Sequence, residues 1–132
     1  MKRLTRTIAL ASLVSFATLG LAACSSGSSS NADKVTAEEV VGVWGVPDTQ
    51  GEPMVDFESN GEFGGNSGCN VLGGSWKVDA EGKLSFSPIH STMMYCEGVD
   101  EWLLQATSAV VQGKTMVFSD ENGTQIGTLD RK

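Results

Sequence analysis

Apolar residues fall into two regimes along this chain. Between Thr7 and Leu19 they run with few polar breaks; from Val35 onward they come in short runs, many at period two, separated by glycine-rich or acidic turns. The second regime is that of short, half-buried strands. Thr36-Ala37-Glu38-Glu39 has the spacing of a capping box, which predicts a helical turn at the start of the second regime. Val40 to Val46 reads as a strand carrying Trp44 and is broken by Pro47-Asp48-Thr49-Gln50-Gly51. Met54 to Glu58 alternates as a strand, Asn60-Gly61 predicts a hairpin turn, and Glu62-Phe63 begin the return. The stretch from Gly64 to Gly74 is glycine-rich and reads as irregular. Ser75 to Asp79, with Trp76 and Val78 on one face, turns at Glu81-Gly82 into Leu84 to Ile89, where Leu84 and Phe86 share a face.

A helix is expected next. Val99, Trp102, Leu103, Ala106, Ala109 and Val110 recur at helical spacing, Asp100 and Glu101 suit its N-terminus, and Gly113-Lys114 supplies a stop. Thr115 to Ser119 and Thr124 to Leu129 then form a hairpin around Asn122-Gly123. The expected class is α+β and mainly antiparallel β: a small curved sheet or partial barrel with one helix packed across it.

The first regime carries a different message. Lys2, Arg3 and Arg6 precede the apolar stretch, and Gly20-Leu21-Ala22-Ala23 places small residues before Cys24. The apolar stretch is shorter than the roughly 20 residues needed to span a bilayer, and the arrangement is that of a secretory signal. Leu21-Ala22-Ala23-Cys24 resembles the bacterial lipobox, which implies lipidation of Cys24 as the mature N-terminus; an ordinary secreted protein cleaved nearby is the alternative. Residues 1–23 then form the signal peptide, residues 24–34 a Ser/Gly-rich flexible tether, and residues 35–132 a single domain. The expected location is the cell envelope, facing away from the cytoplasm. That means the outer leaflet of a plasma membrane or, in a two-membrane cell, the outer membrane.

Charge narrows the partners. The 132-residue chain carries −7, and its signal holds three of the nine Lys and Arg residues but no acid. The mature part therefore has six cations against sixteen acids, a net charge of −10. Such a surface does not suit nucleic acid, whose phosphates need clustered Lys and Arg. It is also repelled by anionic headgroups, so the membrane is expected as a partner through the lipid alone.

With Cys24 lipidated, Cys69 and Cys96 remain. An even pair in an oxidising compartment implies a disulfide, with two buried free thiols as the alternative. No C-x-x-C spacing marks them as redox-active, and with His90, the only histidine, they lack the paired spacing of structural zinc. No metal and no cofactor is expected. His90 beside Ser91 and Thr92 has no identified orienting acid, and no catalytic residue is assigned. Met93, Met94 and Tyr95 read as core packing or as a methionine-lined entrance for an apolar ligand or peptide. Trp44, Trp76 and Trp102 read as core. Asn70 suits a tight loop, through backbone hydrogen bonds and tolerance of a left-handed conformation.

Three passages together resemble the META domain family, which includes HslJ-like heat-inducible proteins. They are Gly42-Val43-Trp44; Ser67-Gly68-Cys69-Asn70 followed by Gly73-Gly74-Ser75-Trp76; and Ser91-Thr92-Met93-Met94-Tyr95-Cys96. Met93 stands where the family often has arginine, and Tyr95 where alanine is common. The resemblance implies a barrel-like antiparallel fold in an envelope or stress-associated protein, and it implies no reaction. The expected function is a non-enzymatic, lipid-anchored envelope protein that binds another protein or an apolar segment. A carrier of a small apolar ligand in the barrel interior is the alternative.

Overall fold

The computed structural model describes residues 34–132. Cys24 and the predicted signal and tether up to residue 33 lie outside the described residues. The capping box forms as the spacing predicts: the Thr36 hydroxyl accepts from the Glu39 N–H, and the Glu39 carboxylate accepts from the Thr36 N–H at 2.8 Å. It opens α1, Ala37–Val40. The strand expected from Val40 is shorter, because Val40 ends this turn and Gly42 takes a positive φ of 123°. Strand β1 is therefore Gly42–Gly45.

Eight further strands follow. The first three are β2 (Met54–Phe57), β3 (Glu62–Asn66) and β4 (Val71–Val78). Next come β5 (Leu84–Phe86) and β6 (His90–Ser91). The last three are β7 (Ser108–Gln112), β8 (Thr115–Ser119) and β9 (Gln125–Asp130). All pairings are antiparallel, in the order β1-β2-β3-β4-β5-β7-β8-β9, with β6 attached to β4. A bridge between Trp44 and Arg131, with the Lys132 N–H donating to the Val43 carbonyl at 3.1 Å, brings the last strand back to the first. The sheet is thus a nearly closed barrel.

Two expectations are corrected. The glycine-rich stretch is not irregular throughout: β3 runs on to Asn66 and β4 starts at Val71, pairing Gly64 with Gly73 and Gly65 with Leu72. Glycine lacks strand propensity, but here small residues let neighbouring chains come close. The second correction is the helix. Only Trp102–Gln105 is helical, as a 3-10 turn, and Ser108–Gln112 is strand. Leu103, Ala106 and Ala109 are all buried, so the apolar spacing was real. Adjacent β-branched Val110 and Val111 favour a strand, and Gly113, at φ +63°, makes a two-residue hairpin turn to Thr115 instead of a helix stop.

The barrel is filled. Trp44, Phe57, Leu84, Leu103, Met116 and Phe118 are fully buried. An aromatic row runs from Trp76 through Phe57, Phe86 and Phe118 to Trp102, with successive centroids 5.6–5.9 Å apart. Trp44 and Trp76 are core members, as expected, and Trp102 is half-buried at the edge of the core. The Trp102 ring lies over Gly127, where a Cβ would come within 2.5 Å of ring carbon. The gap among the core side chains that include Val55, Phe57 and Leu103 amounts to about 10 Å³, at or below what one water requires. At the seam, the Arg131 guanidinium sits 4.3 Å from the Trp44 ring centroid and donates to the carbonyls of Val41 and Glu39.

Candidate functional site: a loop pinned by Asn70 and a disulfide

Between β6 and the 3-10 turn the chain runs from Thr92 to Glu101 without regular structure. Such a loop has backbone groups to satisfy and a shape to hold. The tight turn between β3 and β4, Ser67 to Asn70, does both. Ser67 and Asn70 are 0% and 2% exposed, the buried polar residues of the described chain. The Asn70 amide oxygen accepts from the Met94 N–H at 2.6 Å and the Thr92 hydroxyl at 2.9 Å. Its amide nitrogen donates to the Met94 carbonyl at 3.0 Å and to the Glu101 carboxylate at 2.7 Å. All four hydrogen-bonding sites of an asparagine side chain are used. Its φ is not positive; among described non-glycine residues only Asp48 has that conformation, so Asn70 acts through its amide and not through left-handed tolerance.

Ser67 completes the arrangement. Its hydroxyl donates to Glu101 at 2.5 Å and accepts from the Asn70 N–H at 2.9 Å. A serine paired with a carboxylate resembles a nucleophile with its base, but this hydroxyl is sealed from solvent, and the pair ties the loop's far end to the turn. Donation first from Ser67 and then from Asn70 holds the Glu101 carboxyl below its usual 4.5. A depressed carboxyl stabilises the fold above its unfolded value, and that stabilisation is lost as pH falls through the folded one. Glu101→Gln should therefore be less stable than the parent at pH 6, with the difference shrinking as pH drops below about 4.5. Urea unfolding at a series of pH values measures this; a difference constant down to pH 3 would refute the assignment.

The second pin is covalent. Cys69 and Cys96 form a disulfide with Cα atoms 5.8 Å apart. The two motifs therefore meet, and the bridge fastens the β3–β4 turn to the loop. Held at both ends, the loop presents Met93, Met94 and Tyr95 outward, at 95%, 61% and 89% exposure. This corrects the reading of these three as core: the barrel is already filled, and the pins fix the backbone with the side chains facing solvent. Val71, at 61% exposure, stands next to them, since its carbonyl accepts from the Thr92 N–H.

Beside the loop lies an open cleft of about 380 Å³ between the β1–β2 connection and the disulfide. Its walls include Val46, Pro47, Met54 and Met94. His90 is exposed on β6. The Thr92 hydroxyl is committed to Asn70 and to the Val71 N–H, so it is not free to act as a nucleophile beside His90. Among the described residues no three His, Cys, Asp or Glu side chains stand close enough to share a metal ion, and no helix is long and apolar enough to cross a membrane.

Fold and site together define a small antiparallel barrel whose motif residues hold one loop in place. The chain belongs to the META domain family, whose model matches residues 31–132. No curated protein and no solved structure matched the chain. The sequence alone points neither to Glu101 at the site nor to Arg131 at the seam. No local sequence signal links Glu101 to Ser67, which lies 34 residues earlier.

Proposed function

We propose that this protein is a lipid-anchored envelope protein without enzymatic activity, and that its Met93–Tyr95 loop docks another protein through an apolar segment. The observation that carries this is the exposure of three large apolar side chains on a loop fixed by a disulfide and a saturated asparagine. A backbone already fixed by the pins adds little backbone-ordering cost on binding, which favours a recognition role. Methionine adds adaptability toward an apolar surface. The lipobox-like Leu21-Ala22-Ala23-Cys24 sequence supports the envelope location, and a lipid on Cys24 would hold the acidic domain off the membrane. The alternative, a small ligand carried inside the barrel, draws no support from a core gap of about 10 Å³.

A photo-crosslinking phenylalanine analogue at position 95 in living cells tests the docking face. A discrete crosslinked partner is expected, absent when the same probe replaces the exposed Val110 on β7, and competed by Met93→Ser/Met94→Ser as a loss of yield. Identical background from both probe positions would end the reading. Cys24→Ser should release the chain from the membrane fraction; a variant that stays membrane-bound would remove the lipid anchor from the proposal.

A further inference from the structure

The cleft beside the disulfide has a composition that packing does not explain. Its apolar walls are accompanied by two carboxylates, Asp48 and Glu52, and none of its lining residues is Lys, Arg or His. Both acids are exposed, and neither side chain has an ion-pair or hydrogen-bond partner among the described residues. The cleft is also preformed. The Gly51 N–H donates to the Gly68 carbonyl at 2.9 Å. Gly68, at φ +100°, lies so close that a Cβ would stand 3.0 Å from the Gly51 carbonyl oxygen. The two sides are thus locked by direct backbone contact. Met94 belongs both to the cleft wall and to the exposed loop, so the two surfaces are continuous.

From this the geometry points to a cleft that receives a lysine or arginine side chain from a peptide segment. A long aliphatic stem suits the Val46, Met54 and Met94 walls, while its cationic head meets Asp48 and Glu52. The net charge of −10 outside the signal draws such cations from a distance. That the side chain belongs to the partner docked on Met93–Tyr95 rests on the proposed function; the cleft's preference for a cation does not.

Methionine methyl carbon-13 labelling of the full chain separates the surfaces. Met54 and Met94 report the cleft, Met93 the loop outside it, and Met116 the buried core. Titration with acetyl-Leu-Arg-Leu-amide should shift the Met54 and Met94 signals and leave Met116 still. Acetyl-Leu-Gln-Leu-amide should bind about five-fold more weakly, the size expected of two exposed ion pairs. Asp48→Asn with Glu52→Gln should bring the arginine peptide to the glutamine level, and asparagine keeps the left-handed backbone at position 48 accessible. Equal binding of the two peptides, or an unmoved Met54 signal, would overturn the proposal. If crosslinks from position 95 persist while Met54 stays silent, the cleft assignment falls and the docking loop stands. If the arginine peptide fills the cleft while crosslinking returns background, the cleft stands and the loop reading falls.

Discussion

Replacing Cys69 and Cys96 together by alanine is expected to lower stability by about 3.5 kcal/mol, the chain-entropy value for a loop of this length. The bridge joins residues 27 apart, and the loop it closes contains β4, β5 and β6. Without it the unfolded ensemble expands and gains the entropy that the bridge withholds. The native cost is small, because neither cysteine belongs to a strand. Urea unfolding of the oxidised parent and the double variant measures the difference. The slope with denaturant should also rise, since an uncrosslinked unfolded chain exposes more surface. A loss below about 1 kcal/mol with an unchanged slope would show that loop closure is not how the bridge acts.

Asn70→Ala is expected to cost about 3 kcal/mol, by stripping hydrogen bonds from groups that were desolvated to receive them. The Met94 N–H and carbonyl, the Thr92 hydroxyl and the Glu101 carboxylate all lose a partner at once. Water reaches part of the loop, which keeps the cost below the sum of four buried losses. Asn70→Asp separates hydrogen bonding from size. It loses both N–H donors and sets a second carboxylate against Glu101, so at neutral pH it should be at least as damaging as alanine. Acidification should partly relieve it, because protonating either carboxyl removes the repulsion, whereas the alanine variant should show no such recovery. Unfolding midpoints at pH 7 and pH 4 decide the matter, and an aspartate variant as stable as the parent would refute the donor role.

Much of the fold was legible because strands and turns leave short-range marks. The capping box at Thr36 and Glu39, the turns at Gly61, Gly82 and Gly123, and the alternation of β8 all follow from local chemistry. Helical spacing misleads between Val99 and Val110 because Leu103, Ala106 and Ala109 satisfy it while belonging to a 3-10 turn, its exit and a strand. Both routes bury the same residues; what separates them is the pairing of β7 with β8, which lies outside any local window. The disulfide was accessible by counting cysteines. The outward Met93–Tyr95 loop was not, because apolarity alone cannot tell a core residue from one that a filled core leaves outside. In sequence Glu101 suits the start of a helix, and only tertiary structure brings it to Ser67.

The seam at Arg131 also bears on time. Every hairpin of the meander joins chain neighbours and can form as soon as both strands exist. The contact of Arg131 with Trp44, Val41 and Glu39 joins nearly opposite ends of the described chain. It is therefore among the late contacts available to a chain delivered from its N-terminus. The β8–β9 ladder ends at Asp130, so it can be complete while Trp44 still lacks the cover that Arg131 gives it. Closure of the barrel therefore waits for β9 and Arg131, so the seam forms after the hairpins that precede it have had time to pair.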